Sequence, residues 1–325
     1  MSKTAKLRNA RVDGRTATPA TAGHKHIIRP PRIYSYVDAV AHHGSIRRAA
    51  DALFIASSAL NRRILSLEEE MGTTLFERLP RGVRLTAAGE LFIDYVHRNL
   101  SALELVGSQI EHLRGLVRGH VRVAAAESLA GDLLPRAIAQ FQLNHPGVRF
   151  EIRIGVPGDM LAALVGDSVD LMLTHETPEH RDASVLASVA HPFCAVMVRG
   201  HPLADKRPLR LRDCLAYPVA LADQSLAGRA LIERALAKSS FHVEPALVSN
   251  SVEAMKAYAR ASQAVCFQFK TGAAHDVARG EMVAVPLADA SLSRTQLVLA
   301  VRRGRALPIA AAKFSEQLRQ NLNGL

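Results

Sequence analysis

Apolar residues recur at helical spacing through the first third of the chain and in short runs after it. Ile33, Tyr36, Val37 and Val40 stand at i, i+3, i+4 and i+7, which predicts a helix from Ile33 to His42 with one buried stripe. Gly44 ends it, and Ser45 can cap a second helix, Ile46–Leu53, whose apolar face is Ala49, Ala50 and Leu53. Small alanines let a neighbouring helix approach closely. A third helix runs from Ser57 or Ser58 to Met71, with Leu60, Ile64, Leu67 and Met71 inward and Ser58, Asn61, Arg62 and Arg63 outward. Glu68, Glu69 and Glu70, near its end, read as solvated or facing a second subunit. Leu75–Arg78 and Val83–Leu85 then predict two short strands around a turn at Leu79-Pro80-Arg81-Gly82. Two short helices joined by a tight turn, polar donors on the second of them, and a basic hairpin describe a winged helix-turn-helix.

A longer pattern follows. Val96, Leu100, Leu103, Val106, Ile110, Leu113 and Val117 step by 4, 3, 3, 4, 3 and 4, nearly a coiled-coil seam, on a helix from Thr86 to Arg118 of roughly 50 Å. The seam must be buried against a second copy or against the chain's own later domain. Beyond Gly119, strand and helix patterns alternate, as in a mostly parallel sheet with covering helices. The sequence therefore divides into a tail (1–30), a winged helix-turn-helix (31–86), a linker and dimerisation helix (87–118) and an α/β domain (119–325). Within the last, one subdomain spans about 119–193 and 291–325, the other about 194–290.

Charge sharpens the picture. The net charge is +11 over 325 residues, and the first 32 residues carry Lys3, Lys6, Arg8, Arg11, Arg15, Lys25, Arg29 and Arg32 against Asp13 alone. A segment so poor in large apolar residues reads as a solvated arm that can add non-specific affinity for DNA. The rest is near balance, so recognition there needs locally arranged cations. Cys194, Cys214 and Cys266 have neither disulfide-framework nor zinc-site spacing. No apolar run approaches the ~20 residues of a membrane span. The N-terminus lacks the apolar stretch of a secretory signal. The expectation is a cytoplasmic protein with no membrane contact, no metal and no cofactor. An enzyme is the competing class, yet there is no P-loop, GxGxxG, GxSxG or HExxH. A sequence-indifferent architectural protein driven by the tail is the third, and would not need some 200 residues of α/β domain.

Three runs carry a resemblance: Gly44-Ser45-Ile46-Arg47-Arg48-Ala49-Ala50-Asp51-Ala52-Leu53, then Leu67 through Arg78, then Gly82-Val83-Arg84-Leu85-Thr86-Ala87-Ala88-Gly89. In order and spacing they resemble the LysR-type transcriptional regulators. His201-Pro202-Leu203-Ala204 and Leu297 through Gly304 are similar to the effector domain of that family, itself similar to periplasmic binding proteins. The resemblance implies an α/β protein with an N-terminal all-α winged helix-turn-helix, a long linker helix and a two-subdomain effector domain. It implies double-stranded DNA, a small-molecule effector and a homo-oligomer (dimer or tetramer), with RNA polymerase a candidate partner. The family often has Ser-Gln-Pro where Ala56-Ser57-Ser58 stands and Ser where Asn61 stands, so base preference is not carried over.

On this reading Ser57, Ser58, Asn61, Arg62 and Arg63 approach base edges or phosphates in the major groove, Arg47 and Arg48 suit phosphate, and Arg81 or Arg84 reaches the minor groove. Effectors in open α/β sheets sit at strand carboxyl ends beside helix N-termini, which favour anions. That rule selects Ser128, Thr174, His175, Gln224, Ser225, Ser249, Asn250, Ser251 and Gln268. No acidic cluster borders this set in the sequence, which leaves room for a carboxylate effector. Any of the Ser or Asn residues can equally be a plain helix cap. Cys194 and Cys214 are read as buried and inert rather than as a redox pair.

Overall fold

The computed structural model describes residues 30–175, 177–237 and 243–325. The basic arm ahead of Pro30 lies outside the described residues. Three helices come first: α1 (Arg32–His43), α2 (Ile46–Ala52) and α3 (Ser57–Met71). Gly44, in the left-handed region, closes α1, and the Ser45 hydroxyl accepts the Arg48 amide to open α2. Val37, Val40, Ala49, Ala50, Leu60 and Ile64 meet in one core. Ala49 and Ala50 are fully buried, the close helix approach their size allows.

The last turn of α3 departs from the expected face. Met71 is 42% exposed, whereas Glu68 is buried. Its Oε1 accepts the amides of Leu75 at 2.7 Å and Phe76 at 2.9 Å. The chain reverses at Gly72, and the amides entering the wing need an acceptor once buried. The carboxylate supplies it, so the solvated reading of Glu68 is corrected. The wing is β1 (Phe76–Leu79) antiparallel to β2 (Gly82–Leu85), with Glu77 opposite Arg84. The Val83 amide donates to the Gly44 carbonyl at 2.9 Å. A Cβ at Gly82 would lie 2.3 Å from that same oxygen, so the wing can lie this close only with glycine there.

Helix α4 (Ala87–Leu113) starts under a Thr86 cap and stops short of Arg118, because Arg114 ends it and Gly115 turns left-handed. Its expected single seam is divided. Val96 is buried in the winged-helix core with Ile93, and Leu100 packs against the same core. The apolar side chains left outward are Leu91, Tyr95, Val106 and Leu113. The C-terminal half meets α11 (Ile309–Asn323), where the Ile309 amide donates to the Ser108 hydroxyl at 2.9 Å.

Two five-stranded sheets follow. The first has the order β4-β3-β5-β12-β6, from β3 (Gly119–Ala125), β4 (Val148–Ile154), β5 (Leu171–Thr174), β6 (Ala183–Ala190) and β12 (Gln296–Arg302). The second has the order β11-β7-β10-β8-β9, from β7 (Phe193–Val198), β8 (Val219–Ala222), β9 (Leu247–Ser249), β10 (Val265–Phe269) and β11 (Met282–Pro286). The sequence pattern passed over β6, an edge strand paired to β12, on which Val185 and Leu186 are 41% and 40% exposed. A 3-10 turn at Glu127–Leu129 precedes α5 (Leu133–Asn144). The covering helices are α5, α6 (Pro157–Val165) and α11 on the first sheet, and α7 (Leu211–Cys214), α8 (Ala227–Leu236), α9 (Val252–Ser262) and α10 (Ala274–Ala278) in the second unit. The two crossovers are pinned together: the His191 amide donates to the Thr295 carbonyl, and the Thr295 hydroxyl to the His191 carbonyl.

Charged contacts fix α4 on the first sheet. The Asp170 carboxylate, wholly buried, accepts the Arg122 amide at 2.8 Å and the Arg305 guanidinium at 2.9 Å. Arg122 reaches on to Glu104 of α4. His97 of α4 spans both units, with Nε2 2.8 Å from Asp38 Oδ1 on α1 and Nδ1 2.9 Å from the Gly166 carbonyl after α6. Both ring nitrogens face acceptors, and only the imidazolium satisfies both.

The hydrogen bond that His97 donates to Asp38 holds its pKa above the ordinary value. A raised folded pKa gives stabilisation that is complete below about 6.5, the unfolded value, and lost as pH rises through the folded value. His97→Gln is expected to lower the melting temperature most near pH 6, with the deficit shrinking toward pH 8. A deficit that stays constant with pH contradicts a charged His97.

Candidate nucleic-acid interface and effector cleft

Helix α3 begins at Ala56, which has no side chain to cap it, so its first amides are left for an outside acceptor. Ser58 and Arg62 are exposed beside this end, and Ser57 and Asn61 are half-exposed. Asn61 Oδ1 accepts from Arg78 Nη2 of β1 at 2.8 Å, which brings a wing-strand guanidinium to the recognition face. Arg78 was missed because it stood in an apolar strand pattern; no local spacing marks the contact. Arg63 instead borders the groove between α1 and α3 with Arg32, Tyr36 and Glu70. Arg47 and Arg48 are exposed on α2, and Arg81 at the wing turn. Arg84 is held by Glu77 across the hairpin at 2.6 Å, with both side chains at least half exposed.

The effector candidates separate into three groups. Ser128, Thr174, His175 and Gln268 are buried where the two sheets face each other. The Ser128 hydroxyl is 2.7 Å from His175 Nε2, and the His175 ring stacks on Phe269 with centroids 3.4 Å apart. His191 lies beside them, its Nε2 accepting the Thr271 amide. Burial, then the neighbouring His191, push the His175 pKa well below its ordinary value; burial and Lys270 lower that of His191 to about 4. Both imidazoles are therefore neutral near pH 7, and act as hydrogen-bonding and stacking groups rather than as cations. Ser225 closes a local turn on Asp223, and Ser251 caps α9. Gln224 and Asn250 are exposed, while Ser249 Oγ accepts the Ser251 amide.

The α9 N-terminus, expected to be open to an effector carboxylate, is already occupied. Glu127 Oε1 from the first subdomain accepts the Val252 amide at 2.8 Å. Burial raises the Glu127 pKa, and the Val252 hydrogen bond opposes that rise. The sequence reading weighed only acidic clusters and missed this single acid, because Glu127 and Val252 are 125 residues apart.

Open space lies next to this seam. A cleft of about 830 Å³ is lined by Pro157, Leu161, Met172, His175, Leu231 and Phe269, with Arg234, Arg294 and Glu179 among its polar groups. Of the sequence candidates only His175 borders it. The others follow strand ends, whereas the cleft is walled chiefly by α6, α8 and the second crossover. Among the described residues there is no group of His, Cys, Asp and Glu placed to hold a metal, and no helix long and apolar enough to cross a membrane.

A three-helix unit with a wing, a connecting helix and two α/β lobes around a cleft define a transcriptional regulator with a ligand-sensing domain. Residues 32–90 match the model of the bacterial regulatory helix-turn-helix protein, lysR family, and residues 114–323 match the LysR substrate binding domain. The chain belongs to the LysR family of transcriptional regulators. The SDS degradation transcriptional activation protein of a Pseudomonas strain is 30% identical, covering 84% of this chain and 90% of that protein. The RuBisCO operon transcriptional regulator of Allochromatium vinosum is 27% identical, over 86% and 92% of the two chains. Full-length OxyR of Pseudomonas aeruginosa has the same fold, with a TM-score of 0.66 at 18% identity over 90% of this chain and 96% of that one. CbnR in complex with its target DNA gives 0.59 at 20% identity, over 89% and 98%. These relatives are regulators rather than enzymes.

Cys194, Cys214 and Cys266 are all buried and free, and burial pushes each thiol pKa to about 12. In the native chain at pH 8 none is expected to react rapidly with a disulfide reagent, while unfolding in guanidinium releases all three. A fast-reacting native thiol would contradict their inert placement.

Proposed function

We propose that the chain binds a DNA site of dyad symmetry as a homodimer, or a pair of dimers, with α3 in the major groove. The observation that carries this reading is the exposed, uncapped start of α3, with Ser57, Ser58, Asn61 and Arg62 around it and Arg78 alongside. Arg47 and Arg48 are suited to phosphate contact, and Arg81 to the flanking minor groove. The outward stripe of Leu91, Tyr95, Val106 and Leu113 on α4, with Leu91 73% and Leu113 87% exposed, supports pairing of that helix with a second copy. A small effector in the cleft would shift one lobe against the other about the pinned crossovers, altering how the copies present their recognition helices. RNA polymerase is the partner through which a bound dimer would act on transcription. A DNA ligand supports a cytoplasmic location.

The test is protection of DNA upstream of the gene encoding this chain, with excess unrelated DNA as competitor. A retained, dyad-symmetric footprint is expected. Arg62→Ala should weaken specific binding by about tenfold or more and relax preference at one position, as for loss of a base contact. Arg47→Ala should weaken all sequences alike and lower the salt slope by about 1. Equal loss of binding to any competitor would refute sequence-specific recognition.

The oligomer reading is tested separately. Leu113→Glu, at a fully solvated position in the single chain, is expected to shift the mass in solution toward the monomer while the melting temperature changes little. An unchanged mass would remove α4 from the subunit contact.

A further inference from the structure

The effector cleft holds three features that converge on one kind of ligand. The first is a surplus of positive charge. Arg234 on α8 and Arg294 on the approach to β12 both border the cleft, and neither has an ion-pair partner among the described residues. Glu179 is the acidic residue among the described ones that line it, and His175 is neutral. The second is a buried polar atom left over. His175 is 6% exposed, its Nε2 is taken by Ser128, and its Nδ1 lies near the Gln296 backbone without a hydrogen bond. A buried nitrogen in that position favours a ligand that supplies a partner. The third is the wall. Leu161, Met172, Leu231 and Phe269 form an apolar stretch of the lining, beside the polar Thr177, Ser291, Thr295 and Gln296.

The neighbouring α9 N-terminus does not compete for an anion, because Glu127 already sits on its first free amide. The α6 N-terminus does face the cleft. Val156 leaves it without a side-chain cap, Gly158 is part of the lining, and nothing stands within 4 Å of where a Cβ at Gly158 would be. Two guanidinium groups without an ion pair among the described residues favour negative charge; the α6 N-terminus adds less, since Pro157 at its first position has no N–H and Asp159 stands in its first turn, and the volume is that of a small-molecule site.

We propose that this cleft takes an amphiphilic organic anion, whose head is held by Arg234 and Arg294 and whose apolar body lies against Leu161, Met172, Leu231 and Phe269. This rests on the effector reading of the cleft and narrows it. Charge alone does not suffice, since the apolar wall gives a bare inorganic anion nothing to displace water from. An apolar cation meets the two arginines and is disfavoured.

The experiment is calorimetric titration of the full chain, without DNA, using octanoate, acetate, octyltrimethylammonium and 1-octanol below any micelle concentration. Octanoate is expected to bind once per chain, with acetate, octyltrimethylammonium and octanol each at least about tenfold weaker. Arg234→Gln and Arg294→Gln should each weaken octanoate about tenfold. Arg136→Gln, an exposed arginine on α5, should leave it unchanged. Equal binding of octanoate and octyltrimethylammonium, or octanoate binding that survives the double arginine substitution, overturns the proposal. Leu161→Trp, which fills the cleft, separates the two levels of the argument. If octyltrimethylammonium or octanol binds best and is lost in Leu161→Trp, the anion assignment fails while the cleft stands as a ligand site. If no probe is sensitive to Leu161→Trp, both fail.

Discussion

One continuous helix has to satisfy two cores at once, and the arrangement of the molecule follows from that constraint. The first half of α4 is a structural member of the winged helix, contributing Ile93 and Val96 to its core. The second half is a strut on the first α/β lobe, tied by Ser108 to α11 and by Glu104 to Arg122. An α-helix cannot bend sharply without a proline, a glycine pair or an inserted group. The two halves therefore share one axis and one rotation. His97 stands at the transition and touches both sides. The ring bridges the loop after α6 to α1, and α6 also walls the cleft. The connection between the cleft wall and the winged-helix unit is thus a short chain of contacts rather than a long path through the core.

The two lobes meet through groups that are already satisfied by each other. Ser128, His175 and Phe269 form one set of contacts, and Glu127 with the α9 amide forms another. The seam is consequently an interior in which most polar atoms are paired as burial requires, with Glu127 Oε2 and His175 Nδ1 left without a hydrogen bond. The adjoining cleft has the opposite character: open volume, two arginines without an ion pair among the described residues, and an apolar stretch of wall. Neutral imidazoles divide the two regions. Burial keeps His175 and His191 from carrying charge into the seam, so the positive character of the cleft comes from its arginines.

Much of this was legible in the sequence where local periodicity and burial coincide. Leu60 and Ile64 are spaced as a helix interior and are buried, and the Ala49–Ala50 pair is fully buried in the same core. The alternation of strands and helices after Gly119 gave the α/β architecture, and the order of motifs gave the family. What escaped was set by distance along the chain. Glu68 reads as one more charge in an acidic run, because nothing near it says that the amides of Leu75 and Phe76 will lack an acceptor. Arg78 reads as a strand residue until Asn61 is brought beside it. The seam of α4 was assigned to one partner because heptad spacing records that a face is apolar and not which surface covers it. The cleft residues Arg234 and Arg294 follow no strand end, so a rule built on strand ends passes over them. Strand β6, Ala183–Ala190, has two Ser residues among its apolar ones and no strict alternation, so a period of two does not mark it.

The Glu68 carboxylate has a consequence for how DNA contacts evolve. It belongs to the recognition helix yet holds the entry of the wing, and the Gly44 carbonyl holds the wing from its other strand. The distance between what the helix touches and what the hairpin touches is therefore a fixed gauge. On the proposed reading, substitutions at Ser58, Asn61 or Arg62 would rewrite which bases are preferred while leaving that gauge intact. Descendants of this unit would change vocabulary without changing the length of the word.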